Sequence, residues 1–217
     1  LALAFHPYLP PNPVKAISAA RLWHPERRRR TFISPQDLPK WWTAVMRELP
    51  HSRDFLLVAL FTGMRRSEIA TLRWEHVDLE TRTLTVPITK NGDPLVLPLS
   101  AFLTELFTER RKTHRKDEWV FPGRDGHCAM VEPKRFTDRV SLASGVEFTL
   151  HDLRRTFITI AESLDISAYA LKRMLNHRSD SDVTDGYIIV DVERLRGPVE
   201  RAAERILELA RPAEASR

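Results

Sequence analysis

A single cysteine, Cys128, stands among the 217 residues, so no internal disulfide can form. The same scarcity excludes a metal site built on paired cysteines and fits a reducing cytosol. No apolar run approaches the roughly 20 residues needed to span a bilayer, and no membrane association is expected. The stretch from Leu1 to Phe5 is apolar, but it is too short for a signal peptide and lacks a basic lead; it reads as the tail of an earlier helix. Internal repeats are absent too. What remains is the mixture of an ordinary globular domain, with 42% hydrophobic and 29% charged residues, enough for one sizeable core with or without an appendage. The formal net charge is +5 and the pI about 9.6. That balance suits a polyanionic partner such as nucleic acid, and equally a basic surface with no special partner; charge alone leaves the two level.

Along the chain, residues 1–30 differ from the rest. Pro7, Pro10, Pro11 and Pro13 argue against a helix there, and Arg27, Arg28, Arg29 and Arg30 form a solid basic run. The stretch reads as the end of a preceding domain and an extended basic linker that meets an acidic surface; a solvated tail is the plainer alternative. An ordered domain is expected over residues 31–197. Ser34 is placed as the N-cap of a helix reaching about residue 49, with Pro35 at its first position and Asp37 in its first turn. Residues 53–62 are apolar nearly all round, which predicts a central helix closed by Gly63. A short helix over 67–72 follows. Strands over 83–88 and 95–99 flank Asn91-Gly92, a strong hairpin signal. Further helices are expected over about 101–113, 133–143, 152–163 and 168–175. The last, with Pro198 at its first position, runs to about residue 210 and carries one apolar stripe of Val199, Ala202, Ile206 and Leu209. Residues 198–217 are therefore set apart as a C-terminal helix and tail. The fold class is mainly α with a small antiparallel β-sheet, an α+β domain.

Several polar residues fall at the ends of these elements. Arg65 comes just after Gly63, and Lys90 sits at the mouth of the hairpin. His151 and Arg154 are one helical turn apart and so share a face. His177 ends another helix, and Tyr187 follows ten residues later. Each alone has a bland explanation: a surface arginine, a solubilising lysine, a structural histidine, a half-buried tyrosine. Together they answer one chemical need. Cutting DNA without a metal requires a nucleophile, neutralisation of charge at phosphorus and a proton donor for the leaving oxygen. A phenol with a pKa of about 10 can attack if a base or local positive charge removes its proton. Two guanidiniums suit the non-bridging oxygens, which they bind bidentately while keeping their charge. A lysine can protonate the departing 5′ oxygen, and histidines exchange protons near neutral pH.

In this order the residues resemble a known family. Thr62-Gly63-Met64-Arg65-Arg66-Ser67-Glu68, continued by Leu72-Arg73-Trp74 and Val77-Asp78, resembles the first arginine box of the tyrosine recombinases of the phage-integrase type. Lys90 resembles their hairpin lysine. Leu150-His151-Asp152-Leu153-Arg154-Arg155-Thr156-Phe157 resembles the second box, Leu175-Asn176-His177-Arg178-Ser179 the third, and Tyr187 the nucleophile. The resemblance covers about residues 31–199 and implies the catalytic-domain fold of that family. It implies that Arg65 and Arg154 clamp the scissile phosphate, Lys90 acts as general acid, and His151 assists as base. His177 would donate to the phosphate, and Tyr187 would form a 3′-phosphotyrosyl link. Glu68 would be structural. Arg66, Arg155 and Arg178, with Arg27 to Arg30, stand as weaker DNA contacts. No cofactor and no metal is implied. The implied partners are double-stranded DNA carrying specific attachment or core sites, further copies of the chain as a tetramer on that DNA, and accessory DNA-bending proteins. A cytoplasmic, nucleoid-associated place in a bacterium or its phage follows.

Two departures stand out. Asn176 occupies a position often held by glycine, and asparagine tolerates the left-handed conformation needed there. Arg66 and Arg155 directly follow Arg65 and Arg154; the spacing from Gly63 and from His151 favours the first of each pair. The family's N-terminal helical domain is not evident, residues 1–13 resembling its end, with Asn12-Pro13-Val14 the usual approach to the catalytic domain; weak DNA binding by the 217 residues alone is therefore expected. The final helix would dock on a neighbouring protomer or on its own domain. Three rivals are a type IB topoisomerase-like enzyme, a DNA-binding regulator without catalysis, and a nuclease built on His127-Cys128 and a metal.

Overall fold

The computed structural model describes residues 12–20, 31–87, 94–113, 118–123, 126, 128–130, 133–175 and 192–211. The chain divides into two compact units, Leu1–Arg30 and Thr31–Arg217. In the smaller unit one helix is described, α1 (Pro13–Ala19). The prolines had argued against it. Pro13 sits at the first helical position, where a missing N–H costs nothing, and Asn12 Oδ1 accepts the Val14 N–H at 3.0 Å.

The larger unit has the expected mainly helical class. It runs α2 (Leu38–Met46), α3 (Pro50–Thr62), α4 (Arg66–Ala70), a 3₁₀ turn (Trp74–His76), strands β1 (Val77–Asp78), β2 (Thr83–Val86) and β3 (Leu95–Pro98), then α5 (Ala101–Thr113), α6 (Lys134–Ser144), α7 (Leu150–Glu162), α8 (Ala168–Met174) and α9 (Glu193–Ala210). The sheet is antiparallel in the order β1-β2-β3, with Val77 opposite Leu84, and Leu84 opposite Leu97. The two-residue β1 carried too short a pattern to be foreseen. Asn91-Gly92 and Lys90 lie outside the described residues.

Every residue of α3 from Asp54 to Thr62 is buried, so this helix is the axis of the core, as its all-round apolar sequence predicted. It packs along α7, and α9 closes the far side against α7, α2 and β3. Several helix ends differ from expectation, each for a local reason. Ser34 does cap a turn, its Oγ accepting the Asp37 N–H at 3.2 Å, but α2 begins only at Leu38. It ends before Leu49, which is extended (φ −58°, ψ 146°), as a residue preceding proline must be. Helix α7 starts two residues before position 152 because Thr149 is its cap.

The largest difference is at α9, which starts at Glu193 and runs through Pro198. The extra turn is held from outside the helix. Leu195 is buried in line with Val199, Ala202 and Ile206, and Arg196 donates to the carbonyls of Thr81 (2.9 Å) and Arg82 (3.3 Å) in the β1–β2 turn. These contacts outweigh the backbone bond that proline cannot make. The helix thus packs within the larger unit.

Candidate active site

The site grows from the end of α3. Gly63 closes that helix in the left-handed conformation (φ 60°), and a Cβ there would lie 2.7 Å from Phe157 Cδ1 on α7. Only glycine meets both conditions, and the close approach brings the middle of α7 onto the end of α3. Two residues on, Arg65 is extended and doubly held. The Glu68 carboxylate, itself buried, accepts the Arg65 backbone N–H at 2.7 Å and its guanidinium Nη1 at 2.9 Å. Glu68 is thus the structural partner expected from the motif. One of its oxygens caps α4 and the other aims the arginine. Arg66 is exposed at the first position of α4.

Helix α7 brings the second set. Thr149 and Asp152 form a capping box: Thr149 Oγ1 accepts the Asp152 N–H at 3.3 Å, and Asp152 Oδ2 accepts the Thr149 N–H at 2.9 Å. Burial alone would push the Asp152 pKa up. Hydrogen bonds from Thr149, Thr31 and Arg155 outweigh it and hold the carboxyl below its ordinary range. Arg155, half-buried, donates to Asp152 Oδ1 at 3.1 Å.

Arg154 is the residue the fold treats most unusually. It is buried (5% exposed), and among the described residues no carboxylate pairs with it. Its Nη1 donates to the Gly63 carbonyl and its Nη2 to the Leu175 carbonyl at 2.8 Å. Both acceptors stand at helix C-terminal ends, where the backbone carries partial negative charge. Burial first, and then the Arg65 cation, pull its pKa down to about 10, against the opposing pull of Glu68. It stays protonated at neutral pH. Among the described residues, these bonds use two of its five N–H donors.

His151 is exposed at the start of α7. Partial desolvation, and then the cations Arg155, Arg154 and Arg65, lower its pKa below 6.5, outweighing the carboxylate of Asp152. The shift favours the neutral imidazole. The structure brings Arg65, His151 and Arg154 into one electrostatically coupled group, with Arg155 beside it. Lys90, His177, Tyr187, Arg178 and Arg27 to Arg30 lie outside the described residues. Sequence reasoning missed Asp152, although Thr149-x-x-Asp152 before an apolar-periodic stretch is a readable capping signal. The grip of the Gly63 and Leu175 carbonyls on Arg154 leaves no trace in residue types.

Comparison with known proteins places this geometry. Residues 33–194 match the model of the phage integrase family. The chain is 30% identical over 153 residues to prophage integrase IntF of Escherichia coli (strain K12), covering 67% of this chain and 32% of that protein. It is 30% identical over 191 residues to tyrosine recombinase XerA of Pyrococcus furiosus, covering 82% of this chain and 66% of the other. The chain thus spans about a third of one relative and just under two thirds of the other. Among solved structures, an integrase from mycobacterium phage Brujita superposes with a TM-score of 0.61 at 22% identity, over 89% of this chain and 68% of that one. A lambda integrase dimer bound to a COC′ core site gives 0.61 at 20% identity, over 76% and 49%. These two likenesses show the fold.

Proposed function

The chain belongs to the phage integrase family, and on that premise we propose that it catalyses site-specific DNA recombination through a 3′-phosphotyrosyl intermediate, as the catalytic part of a prophage integrase. The observation that carries this reading is the buried Arg154, which pairs with no carboxylate among the described residues and is coupled to Arg65 and His151. A buried cation without a counter-ion is costly, and a phosphodiester supplies the missing charge. The two guanidiniums hold the non-bridging oxygens and stabilise the charge that grows there in the transition state. His151 takes the phenolic proton as Tyr187 attacks phosphorus. The bond to O5′ breaks, and Lys90 protonates that oxygen. His177 donates to the phosphate. In the second step the 5′ hydroxyl of a partner strand attacks the same phosphorus and Tyr187 leaves, so bond energy is conserved without ATP.

The proposed substrate is double-stranded DNA with a specific attachment or core site, bound by a tetramer of the chain with accessory DNA-bending proteins. The proposed setting is the cytoplasm, on the nucleoid. A nicked suicide duplex carrying the recognised site tests the mechanism. The native protein is expected to form a covalent adduct in EDTA, and Tyr187→Phe none. No adduct from the native protein, or an adduct from the variant, overturns it. Strand exchange between two duplexes is expected; relaxation of supercoiled DNA without exchange would point to a topoisomerase instead.

A further inference from the structure

Resting on that functional reading, we propose that Asp152 is a positioning residue that couples the first residues of the larger unit to the catalytic helix, so that residues 31–33 help to set His151 and Arg154.

The two oxygens of this buried carboxylate serve different parts of the chain. Oδ2 closes the cap of α7 through Thr149. Oδ1 faces outward, accepting the Thr31 hydroxyl at 2.8 Å and Arg155 Nη1 at 3.1 Å. Arg155 Nη1 also reaches the Thr31 carbonyl at 3.4 Å, closing a triangle. One turn along, Thr156 Oγ1 accepts the N–H of the buried Ile33 at 2.9 Å and donates to the Asp152 carbonyl at 2.8 Å. Thus Thr31 and Ile33 are fastened at two points to the turn of α7 that also carries His151 and Arg154. The far side of that turn is fastened by Arg154 to the ends of α3 and α8.

A helical turn moves as a body, so a shift of residues 31–33 reaches the guanidinium and the imidazole together. Helix capping alone needs only Oδ2 and Thr149. The second oxygen, spent on a residue 121 positions away in sequence, is what capping does not explain. In the sequence Arg27 to Arg30 stand directly before Thr31. A polyanion held by that basic run would pull on this fastening.

The test is Thr31→Val, which removes the hydroxyl at an exposed position, set against Thr31→Ser, which keeps it. Single-turnover cleavage of the suicide duplex is measured at saturating DNA, with DNA affinity and thermal midpoint alongside. Thr31→Val is expected to cleave about tenfold more slowly, a small misplacement of reacting groups being enough for that. Its affinity and midpoint should stay close to those of the native protein, and Thr31→Ser should cleave at the native rate. Native-rate cleavage by Thr31→Val, a loss accounted for by weaker DNA binding, or an equal loss in Thr31→Ser overturns the proposal. Should the native protein form no adduct, the functional reading fails, and the coupling is judged by NMR titration of His151. A midpoint moved in Thr31→Val but not in Thr31→Ser supports it, and equal midpoints overturn it.

Discussion

Helix α3 has a buried arginine at each end, and the two are solved differently. Near its N-terminal end, Arg110 from α5 is 3% exposed. It donates to Asp54 at 3.0 Å and to the Val120 carbonyl at 2.8 Å, shares a hydrogen bond with His51 at 3.1 Å and lies over the ring of Phe121. Its charge is met by a carboxylate. At the other end Arg154 is nearly as buried, but it is held by two carbonyls and crowded by Arg65. The first arginine completes the fold. The second has a fixed place and, among the described residues, no carboxylate to meet its charge, which is the condition for binding an anion. Burial and residue type are the same; among the described residues the counter-ion is what differs, and it would separate a structural arginine from the anion-binding one proposed above.

The sharpest way to break this comparison is Arg154→Ala. Covalent adduct formation per folded molecule should fall by about 10³-fold, in line with the loss of a preorganised donor to a transition-state charge. The thermal midpoint should move little, since a buried charge leaves together with its contacts. Adduct formation within tenfold of the native rate would return Arg154 to the structural class.

Arg110→Met should do the reverse. Removing one partner of a buried pair leaves Asp54, among the described residues, with the half-buried Arg53 at 2.9 Å, and should cost about 3 kcal/mol in denaturant unfolding. The cleavage rate of the folded fraction should be native. The double variant Asp54→Leu with Arg110→Met should recover much of that loss. If it is as unstable as the single variant, the pair is not what holds that end of α3.

Gly63→Ala should have a smaller effect on stability, about 1–2 kcal/mol from the left-handed backbone alone. The contact with Phe157 must also give way, and it is the only one of these variants expected to lower stability and cleavage together, because the same residue supplies the carbonyl that holds Arg154. A loss of stability with native cleavage would show that the carbonyl grip does not place the guanidinium.

The smallest effect is on pH. The pKa of His151 is lowered in the folded state, so the folded protein binds fewer protons than the unfolded chain just below pH 6.5. Its contribution to stability is full above pH 6.5 and is lost as the pH falls toward the lowered value. Cleavage that depends on the neutral imidazole should persist below the ordinary imidazole midpoint. NMR titration should show that lowered midpoint, and inorganic phosphate bound among the arginines should raise it. A midpoint at or above 6.5 without phosphate would mean that the cations do not govern His151.

Much of this was legible in the sequence because it rests on short-range rules. The all-round apolar run predicted α3, Gly63 its end, and the spacing of His151 and Arg154 their shared face. What was illegible depends on distant contacts. The turn of α9 before Pro198 exists because Arg196 and Leu195 find partners elsewhere, and no local pattern at a proline announces that. Helix α1 was missed by counting prolines instead of asking which of them stood at a first helical position. Asp152 was overlooked because its neighbours His151 and Arg154 drew the proposed chemistry, whereas its bond to Thr31 spans 121 positions and leaves no local pattern.

The hold on Arg154 also bears on the order in which the molecule folds. Its two hydrogen bonds close sequence separations of 91 and 21 residues. Contacts that distant form only after the chain entropy between them has been surrendered. Arg154 can take its place only once the ends of α3 and α8 have met. A partly folded chain, in which α3 and α7 had formed but α8 had not docked, would therefore hold the motif without the grip on Arg154. On the proposed function, the power to break DNA would arrive among the last events of folding.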